Sequence, residues 1–154
     1  MITAWRIVKA RRAATAFDGE GARLFGGRWN SPGSPLVYTA DSAALAALEM
    51  LVHLGTGAML PAYVLIACSF DDVLVSHLDR ARLPPHWRAY PGSAALQSIG
   101  NEWLRHATSA VLEVPNAIIA TESTYLLNPK HPDFASIRVA APQAFDFDLR
   151  LLRG

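Results

Sequence analysis

The sequence is short of several features that mark common functional classes. It has one cysteine, Cys68, which excludes an internal disulfide and supplies no metal-ligand spacing. Within the apolar run YVLIACSF this thiol reads as a small buried hydrophobe in a reducing compartment. No apolar stretch is long enough to cross a bilayer. The N-terminal segment MITAWRIVKARRAATA carries Arg and Lys where a signal peptide needs a continuous apolar core. Both absences predict a cytoplasmic protein with no membrane partner. His53, His77, His86, His106 and His131 are dispersed without ligand spacing, so no metal is expected. With a net charge of only +1, the chain lacks the concentrated basic surface that phosphate binding demands. Direct nucleic-acid binding is not expected, and Lys9, Arg11 and Arg12 read as a solvated face. Also missing are a Walker loop, a dinucleotide fingerprint and a serine in a nucleophile elbow.

What is present fits one domain spanning residues 1–154. At 154 residues and 51% hydrophobic, the chain is long enough to bury about two-thirds of its unfolded surface without staples. Ile2 to Val8 alternate and predict a strand, with Trp5 and Ile7 on one face and Arg6 on the other. From Phe17 to Pro35 glycines and prolines punctuate a loop region in which only ARLF could be regular. Leu36–Thr39 predicts a second strand. Asp41 or Ser42 then caps a helix running to about Leu54, where Gly55 and Gly57 supply the stop. PAYVLIACSF predicts a strand buried on both faces. Val73 to Gly92 predicts a loop with about one helical turn. Ser93–Ala107 predicts a helix burying Ala94, Leu96, Ile99, Trp103 and Leu104 despite Gly100. AVLEVP and NAIIATE predict two short strands, and TYLLNPKHPDF a loop. AFDFDLRLL predicts a closing strand with Phe145, Phe147, Leu149 and Leu151 inward. The pattern is that of an α+β domain without repeats.

Glu49 stands out because it sits among Ala, Leu, Met and Val. At 100° per residue it lies within about 60° of Leu45 and Val52, on the stripe that faces the core. Two readings fit: a stem that packs while the carboxylate reaches water or an arginine, or a carboxylate held at a pocket edge for chemistry. His53, one turn later, reads as a packing or capping histidine, or as an accessory to the same site. In GGRWNSPG the glycines allow a turn that brings Arg28, Trp29 and Asn30 toward a ligand, although a surface turn with a solvated arginine explains it equally. Arg6 needs an anionic partner or open water, and Tyr38 is core or site.

Taken together, WRIV, GEGARLFGGRWNSPGSPLVYTADSAALAALEMLVH, VPNAIIATES and YLLNPKHPDF resemble the RES domain family, from Trp5 to Phe134. Its members are toxins of two-component toxin–antitoxin modules, partnered by an Xre-like antitoxin. The resemblance implies a fold similar to ADP-ribosyltransferases, a central split β-sheet with flanking helices. It also implies NAD+ as substrate, with no prosthetic group. Glu49 would then hold the nicotinamide ribose and stabilise charge at its anomeric carbon. Arg6 and Arg28 would clamp phosphate, Tyr38 would stack on or line the nicotinamide slot, and Trp29 and Asn30 would shape the loop. Asn116 stands where many members have serine after the VP dipeptide, and its amide could bond a ribose hydroxyl or phosphate. The implied outcomes are transfer of ADP-ribose to phosphate or water, depleting NAD+, or to a host protein such as a phosphoribosyl pyrophosphate synthetase. The competing classes are an inactive relative that only binds the antitoxin, and an unrelated housekeeping domain.

Overall fold

In the computed structural model, which describes residues 1–54 and 60–152, the N-terminal alternation forms a strand, β1 (Ile2–Lys9). A short helix, α1 (Glu20–Phe25), precedes β2 (Val37–Ala40) and α2 (Ala43–Leu51). Then follow β3 (Tyr63–Phe70), β4 (Val75–His77), α3 (Ala94–His106), β5 (Val111–Pro115), β6 (Ser123–Leu127), β7 (Arg138–Val139) and β8 (Gln143–Phe145). The strands form one sheet in the order β4-β5-β6-β2-β1-β3-β7, with β8 also on β3. Among the described residues only β4 and β5 run parallel.

The two halves of the sheet meet at one residue pair, Trp5 opposite Ala40. Where β1 and β2 part, the Arg6 guanidinium takes the place of the missing ladder. Nη1 donates to the Tyr38 carbonyl at 3.0 Å and Nε to the Ala16 carbonyl at 2.8 Å. This is the split expected of the sheet.

Residues opposed across the ladders share a face. Trp5, Tyr38, Ala40, Thr124 and Leu126 therefore point to one side, the side covered by α2 and α3. There α3 buries Leu96, Ile99 and Trp103 against Trp29, Leu36, Leu112, Val114 and Leu126. Beside it α2 buries Leu45 and Ala46 against Ile7, Ala40 and Tyr63, the leucine alone contributing about 1.5–3 kcal/mol. The opposite face packs Ala4, Val37, Cys68, Phe70, Val111, Tyr125 and Leu127.

Several expectations need correction. NAIIATE is not a strand. The Asn116 side-chain oxygen accepts from the Ile118 and Ile119 N–H groups, and Glu122 N bonds Ile119 O, so the segment closes on itself as a turn. The strand lies just after it, in STYLL, where the sequence predicts a loop from Thr124 on. The closing strand ends at Phe145. Phe147 is buried, but a helical turn over Leu149–Leu152 leaves Leu149 and Leu151 exposed. One face of β3 is closed and the other only partly covered. In α3, Ala94 is exposed and Leu104 half-buried. The α2 cap is Ser42, whose Oγ accepts from Leu45 N at 3.0 Å; Gly55 and Gly57 lie outside the described residues.

Candidate active site

The carboxylate of Glu49 projects one turn beyond buried Leu45, on the side of α2 turned to the sheet, and the residue is half-buried. Val52, expected on the same stripe, is 60% exposed, so the stripe ends at Glu49. Its Oε1 accepts from Asn116 Nδ2 at 2.6 Å. Oε2 has no hydrogen bond and the carboxylate no ion pair among the described residues.

Asn116 is buried at 1% exposure, and its amide is fully used. Nδ2 donates to Glu49 and, at 3.0 Å, to Thr124 Oγ1, while Oδ1 accepts from Ile118 N at 2.8 Å and Ile119 N at 3.0 Å. An asparagine amide has two donors and two acceptor lone pairs, so nothing is left for a ribose hydroxyl or a phosphate. The two backbone donors also fix which end of the amide is oxygen. Asn116 therefore aims at Glu49, with its amide engaged by the protein itself.

The GGRWNSPG loop is locked from within. Trp29 and Asn30 are buried, at 2% and 0% exposure. Tyr38 Oη donates to Asn30 Oδ1 at 2.6 Å and accepts from Trp29 N at 3.0 Å. Asn30 Nδ2 donates to the Ala22 carbonyl at 2.9 Å. These side chains shape the loop and are spent on it. Burial raises the Tyr38 phenol above its ordinary value, against smaller opposing effects from Trp29, Arg28 and Asn30, so it remains a protonated donor near neutrality. Gly27 is required here, since a Cβ would lie 2.6 Å from Tyr38 Oη.

Arg28 faces the opposite rim. Nη1 donates to the carbonyls of Trp87 at 2.9 Å and Ala89 at 2.8 Å; Nε and Nη2 make no hydrogen bond among the described residues. Arg88, between those two carbonyls, reaches the other way, to Ala117 O and Ile118 O, each at 2.8 Å. His53 is exposed, its ring 6.0 Å from that of Tyr90. Arg28, the 87–90 strap, the 116–119 turn and Glu49 thus form a continuous series of contacts. Arg6 stands apart, on the other sheet face within the split. Burial lowers its pKa from the ordinary value, with Asp18 and then Cys68 opposing.

The sequence reading missed Arg88, Thr124 and the strap. A proline-flanked loop carrying Trp87, Arg88 and Tyr90 was the available signal. A surface recess of about 200 Å³ between β4 and α3 includes His77, Arg82, Glu102 and His106 in its lining and lies apart from this constellation. Arg82 there pairs with Glu102 at 3.5 Å, and His77 with Glu113 at 3.2 Å. Among the described residues no group of three or more His, Cys, Asp or Glu is placed to hold a metal. No helix there is long and apolar enough to span a membrane.

The chain is 38% identical over 148 residues to Toxin Res of Yersinia enterocolitica, covering 96% of this chain and 97% of that protein. It is 36% identical over 154 residues to the Prs ADP-ribosylating toxin of a Sphingobium species, covering 97% and 96%. A shorter stretch of 49 residues is 49% identical to the NAD(+) phosphorylase MbcT of Mycobacterium tuberculosis, covering 31% of this chain and 25% of that one. In the crystal structure of the M. tuberculosis MbcT–MbcA toxin–antitoxin complex, one chain superposes with a TM-score of 0.70 at 24% identity, over 94% of this chain and 84% of that one. The expected single-domain split-sheet fold is thus shared with that structure. The match to the RES domain covers residues 3–150, and the chain belongs to the RES domain family.

Proposed function

We propose that this protein is the toxin of a toxin–antitoxin pair and that it cleaves the bond between nicotinamide and ribose in NAD+. The observation that carries this reading is Glu49: a half-buried carboxylate with one oxygen held by Asn116 and the other left for a ligand. As the C–N bond breaks, its electron pair leaves with nicotinamide and positive charge develops on the ribose carbon. A fixed carboxylate beside that carbon stabilises the charge more than it stabilises the ground state, and more strongly near an apolar wall than in water. The unspent donors of Arg28 would bind the pyrophosphate. Tyr38 would wall the nicotinamide slot, Arg6 would add positive field, and no prosthetic group is required. Attack by a phosphate oxygen then gives ADP-ribose-1″-phosphate, and attack by water gives ADP-ribose and a proton.

Transfer to a host protein is the second reading, favoured by the near full-length match to a toxin whose name specifies ADP-ribosylation of Prs. In either case the partner would be an Xre-like antitoxin that covers the site. Leu24, Phe25 and Tyr90, 56%, 83% and 79% exposed, flank the Arg28 loop and strap with apolar surface suited to a protein partner.

The test is product analysis by mass spectrometry with purified protein and NAD+, with and without phosphate, beside Glu49→Gln. Nicotinamide release with either small product is expected, reduced at least about 10²–10³-fold in the variant. A mass gain of one ADP-ribose on an extract protein, without release in its absence, would establish the transferase. Neither product would leave an antitoxin-binding protein without catalysis.

A further inference from the structure

We propose that Arg88 is a positioning residue for Glu49, acting through the 117–119 turn and Asn116. The proposal rests on the NAD+-cleaving reading above and adds a residue to it.

Arg88 is exposed and makes no ion pair among the described residues. Its guanidinium is instead committed to the protein's own backbone, Nε to Ala117 O and Nη2 to Ile118 O, each at 2.8 Å. Those oxygens belong to the peptide units whose N–H groups, on Ile118 and Ile119, donate to Asn116 Oδ1 at 2.8 and 3.0 Å. Arg88 and Asn116 therefore grip opposite ends of the same two planar groups. A peptide unit is rigid, so fixing its oxygen fixes the direction of its N–H. A planar guanidinium making two charge-assisted bonds sets the orientation of both units together. Each bond also polarises the next, which strengthens the donation to Asn116.

The other end of the amide delivers the effect. With Oδ1 held, Nδ2 has one direction left, and it meets Glu49 Oε1 at 2.6 Å. The turn is braced from two further sides: Arg80 Nη2 donates to Ala120 O at 3.1 Å, and Ile119 packs on the cluster that includes Leu45 and Ala46 of α2. The backbone around Arg88 meanwhile holds Arg28 through Trp87 O and Ala89 O. One tripeptide thus serves both rims, its backbone holding the arginine rim and its side chain the carboxylate rim. Trp87, packed against the α3 cluster, anchors it.

The test is a double-mutant cycle in purified protein, with Arg88→Ala, Arg88→Lys, Asn116→Ala and Arg88→Ala/Asn116→Ala, measuring kcat and KM for NAD+ cleavage. Arg88→Ala is expected to lower kcat about tenfold with KM within about twofold, because a mis-aimed carboxylate affects the transition state more than binding. Arg88→Lys, which reaches one carbonyl, should recover part of the loss. The double variant should be no slower than Asn116→Ala alone, since the effect passes through that amide. Multiplying losses, an unchanged kcat in Arg88→Ala, or an effect confined to KM would overturn the proposal. Amide hydrogen exchange gives a second readout without turnover: Ile118 and Ile119 should exchange faster in Arg88→Ala or Arg88→Lys while Leu126 does not, and unchanged exchange would also overturn it. If the wild-type protein cleaves no NAD+, the reading of the reaction fails, and exchange still decides whether Arg88 holds the turn.

Discussion

Asn116 uses every hydrogen-bonding site it has, and this determines which replacements its position tolerates. Asn116→Asp keeps the oxygen that accepts from Ile118 and Ile119 but sets a second carboxylate where Nδ2 now lies 2.6 Å from Glu49 Oε1. Two carboxylates that close cannot both ionise cheaply. NAD+ cleavage at neutral pH should fall about 10²-fold in that variant, measured by nicotinamide release, with secondary structure unchanged by circular dichroism. A serine at this position would have one O–H donor, so it could not donate to Glu49 and Thr124 at once as the amide does. Cys68 supplies a different residue-scale expectation. Burial pushes its thiol from 9.0 to about 12, against weaker effects from Ala4 and Arg6. A pKa raised by folding gives stability that is complete below the unfolded value and is lost as pH rises from about 9 through about 12. Urea unfolding at stepped alkaline pH should show that decline, and Cys68→Ala should make it shallower.

At the scale of elements, close approach of two segments explains a glycine that helix propensity disfavours. Gly100 is buried in the middle of α3, where a Cβ would lie 1.7 Å from the Trp29 carbonyl oxygen. The helix and the Arg28 loop therefore touch backbone to backbone. Asn101 reinforces the contact, Nδ2 donating to Ser31 Oγ at 2.7 Å and Oδ1 accepting from Ser31 N at 3.2 Å. Gly100→Ala should improve helix propensity yet destabilise the protein by about 1–3 kcal/mol through overpacking, read as a lower urea midpoint with unchanged slope. The same variant should weaken NAD+ binding, because the loop that it displaces carries Arg28. The 116–122 turn teaches the converse lesson. Its apolar run Ala117–Ala120 has strand-like composition, but an Asn side chain satisfies its backbone donors and Arg80 and Arg88 its carbonyls, so no neighbouring strand is needed.

At the scale of the whole molecule, the site is assembled on one face of a split sheet from segments far apart in the chain. Arg28 precedes β2, Tyr38 lies within it, Glu49 is on α2, the strap precedes α3, and Asn116 follows β5. A partner that inhibits such a site most simply covers both rims. Addition of the antitoxin should protect amides of the 87–90 strap and the 116–119 turn from hydrogen exchange, and protection confined to the β7–β8 edge would contradict occlusion. The sequence by itself determined the α+β class, β1, α2 with its cap at Asp41 or Ser42, and most of α3, and it singled out Glu49, Arg28 and Tyr38 as candidates. These follow from periodicity, capping and residue chemistry within short windows, joined to a family resemblance. It misplaced β6, because TYLL is short and borders prolines, and it extended the last strand, because alternation cannot tell whether a partner edge exists. Only the tertiary structure decided that Trp29 and Asn30 turn inward, that Asn116 serves Glu49, and that Arg88 joins the two rims. Those roles depend on which polar group stands opposite a side chain up to 67 residues away, and local pattern carries no record of that.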